Sequence, residues 1–111
     1  MKSNADLLQG TLDLLILHIL SSGQQHGWGV AQALKDRSED RLVVTQGSLY
    51  PALHRLEKET WIASEWGISE NNRRAKFYRL SNSGKRQLER ETERWHRYTA
   101  GVDLVLSGAP A

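Results

Sequence analysis

The chain has 111 residues, of which 39% are hydrophobic and none is cysteine, and a formal net charge of +2. This length builds one small core, so burial against a second copy is expected to help. The missing thiols exclude disulfides, thiolate metal sites and thiol nucleophiles, and they agree with a reducing interior.

The longest apolar stretch, Leu14–Leu20, is interrupted by His18 and is too short to span a bilayer. The N-terminus lacks the layout of a signal peptide. The chain therefore reads as cytoplasmic, with no membrane partner. The spacing predicts a first helix over 8–22. Leu12, Leu15, Ile16 and Ile19 make its main stripe, and Leu14, Leu17 and Leu20 widen it. Gly23 suits a left-handed cap at its end. A second helix is expected over 27–38, with Val30, Ala31 and Leu34 facing inward. Trp28 is expected in the core, with the wall of a ligand pocket as the alternative. Leu42-Val43-Val44 is short and β-branched and is expected to form a strand that completes a small sheet.

The third helix covers TQGSLYPALHRLEKE, residues 45–59. Leu49, Leu53 and Leu56 share one face, and the opposite face carries Ser48, Pro51, His54 and Arg55. Gly47 and Pro51 are poor helix formers gathered in its first half. Thr45 is the expected N-cap, which sets Pro51 in the second turn and predicts a local distortion. Ser48 as N-cap would set Pro51 in the first turn, where no donor is missed.

Two alternating strands follow, Trp61–Trp66 and Lys76–Leu80, joined by a polar loop. Asn71 and Asn72 in that loop tolerate the positive φ that hairpin turns require. Residues 71–86 hold six basic side chains (Arg73, Arg74, Lys76, Arg79, Lys85 and Arg86) and no acidic one, so the rest of the chain is net negative. Such a patch is the footprint of an anionic partner. A last helix begins near Ser81, a good N-cap. Leu88, Trp95 and Val102 recur every seven residues, with Tyr98 and Val105 in a second seam position. Nothing in the first 80 residues needs that seam, so a second copy is the expected partner.

Three helices, a hairpin and a terminal helix make a mainly α chain with a small β-hairpin. The architecture is a winged helix-turn-helix plus a C-terminal dimerisation helix. The expected units are 1–81 for DNA binding and 82–111 for dimerisation and a short frayed tail. A recognition helix enters the major groove N-terminus first, which explains small residues there. Thr45, Gln46, Gly47, Ser48, Tyr50, Pro51, His54 and Arg55 are the expected DNA-facing residues of this helix. Arg73, Arg74 and Lys76 are those of the wing, residues 67–76. Three or four phosphates neutralised per protomer correspond to a log–log salt slope of roughly −5 to −7 for a dimer.

The stretches LLQGTLDLLILHIL, HGWGV, GSLYPALHRLEKE and SEWGISENNRRAKFYRLSNSGKRQLE together resemble the PadR family of bacterial transcriptional regulators, in a form with a single C-terminal helix. The resemblance implies a homodimeric repressor on a palindromic operator. It implies Ser48, Tyr50 and Pro51 on the recognition helix, Arg73, Arg74 and Lys76 on the wing, and a dimerising last helix. Some members release DNA when aromatic acids or planar drugs bind. Trp95 is similar in position to a tryptophan that stacks on such ligands across the twofold axis, so a planar aromatic effector is a further implied partner. The alternative for Trp95 is plain packing of the dimer seam. One departure stands out: Thr60 occupies the place where the family commonly ends this helix with glycine, and a β-branched residue at positive φ is costly.

Catalysis is not expected. The four histidines, His18, His26, His54 and His96, lack metal-ligand spacing, and no HExxH, GxSxG, P-loop or dinucleotide fingerprint is present. No metal or cofactor is implied. The competing reading is a winged-helix module that binds protein without an operator, which would have no need of the basic wing.

Overall fold

The computed structural model describes residues 11–108. The elements are α1 (Leu12–Leu20), β1 (Gln25–His26), α2 (Gly27–Arg37), α3 (Gln46–Lys58), β2 (Ile62–Ile68), β3 (Arg74–Leu80) and α4 (Asn82–Leu106). The start of the expected first helix, 8–10, and the tail residues 109–111 lie outside the described residues. Among those described, no helix is long and apolar enough to cross a membrane.

The apolar stripes of the first three helices converge on one core. Ile16 and Leu17 of α1, Val30 of α2, and Leu49, Leu53 and Leu56 of α3 are buried there with Ile62 of β2. The strands form an antiparallel sheet of order β1-β3-β2. The β2–β3 register runs from Ile62 opposite Leu80 to Ile68 opposite Arg74. Tyr78 is the residue of β3 that reaches the core. Burial, with the charge of Glu57 nearby, pushes its phenol above the ordinary value.

The third strand is not where it was expected. Leu42-Val43-Val44 forms no strand; the free edge of β3 pairs instead with Gln25 and His26. Glu39 and Asp40 both have positive φ, 54° and 66°, and turn the chain directly toward α3. Val44 then packs on the core while Val43 stays exposed. High β propensity has no effect without an edge to pair with. Gly23, past the end of α1, has φ +141°, which is positive but well away from the left-handed helical value.

Two junctions fix the sheet and α4 on the helices. Thr60 does adopt the left-handed conformation, with φ 64°. Its N–H donates to Glu57 O at 3.0 Å and the Trp61 N–H to Leu56 O at 3.1 Å, the double closure of a Schellman motif. Its carbonyl accepts from the hydroxyls of Ser81 at 2.6 Å and Ser83 at 2.9 Å. Those bonds offset part of the cost of a β-branched residue at positive φ. Ser81 also caps α4 as expected, accepting from the Gly84 N–H at 3.0 Å. A Cβ on Gly84 would lie 1.9 Å from the Trp61 carbonyl oxygen, so only glycine allows this approach of α4 to the sheet. Gln87 and Leu88 continue the docked turns. From Trp95 onward the large apolar side chains of α4 are exposed within the chain, up to 79% for Val105.

Candidate nucleic-acid interface

Thr45 is the N-cap of α3: its Oγ1 accepts from the Ser48 N–H at 3.2 Å. The helix then runs without interruption through Pro51 to Lys58. Buried Leu49, Ala52, Leu53 and Leu56 anchor its inner side. Thr45, Gln46, Gly47, Ser48, Tyr50, Pro51, His54 and Arg55 are all exposed. The Tyr50 ring lies against α2, where a Cβ on Gly27 would come within 2.9 Å of its Oη. Gly27 therefore leaves room for the hydroxyl end of a tyrosine that stays partly exposed, at 45%.

Two of the expected contacts are held by the chain itself. Arg55 is ion-paired to Asp13 of α1. Lys76 lies 3.4 Å from Glu57 Oε1, and Ser64 Oγ donates to the same carboxylate. That hydrogen bond first, and the charge of Lys76 with it, hold the Glu57 carboxyl below its ordinary value. The trio joins α3, β2 and β3, so it ties the recognition helix to the wing. Neither pairing has a local sequence signal, because the partners are 42 and 19 residues apart.

The wing turn is closed by Ser69 N–H donating to Arg73 O at 2.8 Å and Asn72 N–H to Ser69 O at 2.9 Å. Asn72 takes the positive φ, 59°, and Asn71 does not. Arg73 is exposed at the tip, and Arg74 sits 4.7 Å over the ring of Trp66. Cation–π contact orders the guanidinium without removing its charge. Trp66 is itself exposed, and so is Trp28, at 57%, against the expectation of a core tryptophan. Trp28 stands in the first turn of α2, on the side turned from the helix's buried Val30 and Leu34. Both tryptophans line a cleft with Tyr50, Arg73 and Arg74.

On α4 the expected seam residues divide. Leu88 packs against the chain's own core, while Trp95, Tyr98, Val102 and Val105 are exposed along one stripe. The Trp95 and Tyr98 rings lie 6.1 Å apart. Among the described residues there is no group of acidic and histidine side chains suited to a metal ion.

A three-helix core, a solvent-facing polar third helix and a hairpin tipped with arginines define a winged helix-turn-helix of the DNA-binding class. Comparison with known proteins makes this specific. Residues 16–90 match the model of the Transcriptional regulator PadR-like family, and the chain belongs to that family. It is a DNA-binding transcriptional regulator and not an enzyme. It is 35% identical over 75 residues to Transcriptional regulator Rv3488 of Mycobacterium tuberculosis, covering 68% of this chain and 66% of that protein. A PadR-like regulator from Bacillus cereus superposes with a TM-score of 0.80 at 29% identity, over 94% of this chain and 99% of that one. A PadR family regulator from Eggerthella lenta gives 0.78 at 31% identity, over 91% and 86%.

Proposed function

We propose that the chain is a homodimeric repressor of a palindromic operator, working in the cytoplasm. Residues 1–81 serve as the DNA-binding unit and 82–111 as the dimerisation unit. Thr45, Gln46, Gly47, Ser48, Tyr50, Pro51 and His54 meet the major groove and its phosphates, and Arg73 and Arg74 the phosphates beside the wing. Arg55 and Lys76, engaged by Asp13 and Glu57, act mainly by holding the helix and wing in place. The observation that carries this reading is the joint exposure of the polar side of α3 and of the two wing arginines.

Fluorescence anisotropy on DNA from upstream of the chain's own gene, at two salt concentrations, tests it. Selective binding is expected. With two or three phosphates neutralised per protomer, the slope should be roughly −4 to −5, shallower than a count including Arg55 and Lys76 would give. Replacing Arg73 and Arg74 by alanine should weaken binding to all sequences and flatten that slope, whereas Ser48→Ala or Gln46→Ala should alter sequence preference. Binding that ignores sequence at moderate salt would sink the proposal.

The exposed Trp95–Tyr98 pair supports a second element of the reading. In a twofold dimer it would face the partner's Trp95, and a planar aromatic effector could stack between the two rings. The separation of the two Trp95 rings in a dimer structure separates a ligand pore from a packed seam.

A further inference from the structure

His26 is buried, only 7% exposed, and is held from several sides. Its backbone lies in β1 opposite Phe77 of β3, and its ring meets the Phe77 ring edge-on at 5.4 Å. Its Nδ1 accepts from the Gly29 N–H at 3.0 Å and so caps α2. Accepting at Nδ1 assigns the proton of the neutral ring to Nε2. Nε2 is buried without a hydrogen-bond partner, an unfavourable state for a donor.

Glu70 is out of place in a different way. It is an exposed acidic residue at the tip of a wing whose other charged side chains, Arg73, Arg74 and Lys76, are basic. A carboxylate there repels phosphate, so contact with DNA gives no reason for it. Its Oε2 lies 3.6 Å from His26 Nε2. A full N–H···O bond needs a closure of roughly 0.6 Å, which rotation of an exposed side chain supplies. Glu70 also stands inside the turn that the Ser69 N–H closes on Arg73 O at 2.8 Å. The strand register ends at Ile68 opposite Arg74, so the ladder does not hold the tip beyond it. A bond from Glu70 to the fixed His26 therefore holds the turn, and Arg73 with it.

We propose that Glu70 is a positioning residue for DNA binding. Its carboxylate accepts from the buried His26 Nε2–H and ties the wing turn to the start of α2, which sets where Arg73 meets the DNA backbone. The tether stands on the geometry of the chain alone; its effect on DNA rests on the wing-contact reading above.

The test has two arms, both on the full-length protein. The first needs no DNA: long-range proton–nitrogen spectra of the imidazole rings, wild type against Glu70→Ala. A His26 Nε2–H signal that shifts on the substitution is expected, and one that does not move would overturn the tether. The second arm is fluorescence anisotropy on DNA from upstream of the chain's own gene. If Glu70 acted only through its charge, Glu70→Ala and Glu70→Gln would tighten binding equally. As a tether, glutamine keeps an acceptor oxygen for Nε2–H and alanine keeps none. Glu70→Ala should therefore bind about three- to tenfold more weakly than Glu70→Gln, the worth of one hydrogen bond. Equal affinities would overturn the positioning role. His26→Asn retains an oxygen able to cap α2 and loses the ring nitrogen that faces Glu70. In that background the two Glu70 variants should converge, and a difference that persists would remove His26 from the device. Arg73→Ala, measured alongside, keeps the two readings apart. If it leaves affinity unchanged, the wing contact fails, and the imidazole spectra still decide on the tether.

Discussion

The two ends of α4 obey opposite rules although they belong to one uninterrupted helix. Its first two turns are welded to the body: Ser81 and Ser83 hold the Thr60 carbonyl, Gly84 lies close against the Trp61 carbonyl, and Leu88 packs against the core. Beyond Trp95 the helix has large apolar side chains and no surface of its own chain to bury them. Helix propensity does not separate the halves; tertiary contact does, and most helical stability in proteins comes from such packing. An apolar stripe maintained at heptad spacing on an otherwise charged helix is the mark of a surface that expects another helix. The body is thus stabilised from within, and the end of α4 keeps its apolar stripe exposed within the chain, the surface that the proposed dimer would cover.

One pair of substitutions breaks that comparison most clearly. Leu53 is fully buried in α3, so Leu53→Ala should cost about 2–5 kcal/mol of unfolding free energy, read by urea titration. Val102→Asp on the outer stripe should leave the fold of the body intact and shift the proposed dimer toward monomer in sedimentation. A monomer that unfolds with Val102→Asp, or a dimer that survives it, would remove the distinction between the halves. The boundary itself is tested by Gly84→Ala. A methyl group cannot occupy a place 1.9 Å from a backbone oxygen, so α4 must shift away from the sheet. A loss of about 1–3 kcal/mol is expected, the range of overpacking in a well-filled site. No loss would mean that the docking of the first turns is loose.

Thr60, on the other side of the same junction, sharpens the point with the opposite sign. Its φ of 64° is the conformation glycine adopts freely. Thr60→Gly removes the Cβ strain but adds backbone freedom to the unfolded chain, and a net gain of about 0.5–1 kcal/mol is expected. A melting temperature a few degrees higher would report it. A lower one would mean that the threonine side chain contributes something beyond the carbonyl bonds described above, since those do not depend on it.

Features governed by neighbouring residues were legible in the sequence. Thr45 and Ser81 cap their helices as their hydroxyls predict, the leucines of α3 point inward, and Asn72 takes the turn position that needs positive φ. Thr60 marked itself by being the wrong type for a helix end. What escaped depends on pairing at a distance. A two-residue strand such as Gln25–His26 has no alternation to detect, and its partner lies on β3 some fifty residues later. Leu42–Val44 had the composition of a strand and no edge to join. Residue type alone favours the core for Trp28 over its alternative, a pocket wall, yet the side chain is exposed and its face of α2 opens on a cleft. The polar side of α3 was readable as a set, whereas the diversion of Arg55 to Asp13 and of Lys76 to Glu57 was not.

The smallest expected effect concerns that last pairing, which joins the recognition helix to the wing within the body. Glu57 is favoured in its charged form by Ser64 and Lys76, so its folded pKa lies below the ordinary 4.5. A carboxyl with a depressed folded pKa contributes stability that is present above its unfolded pKa and is lost as pH falls through the folded one. The wild type should therefore lose this contribution as the medium is acidified below 4.5, while Glu57→Gln, which has no proton to bind, should not. The group is partly exposed, so the difference between the two proteins at neutral pH should stay within about 1 kcal/mol. Urea midpoints of both proteins across the acid range measure it. Curves that stay parallel down to full protonation would show that the carboxylate does not stabilise the joint, and that sheet packing alone sets the angle between recognition helix and wing.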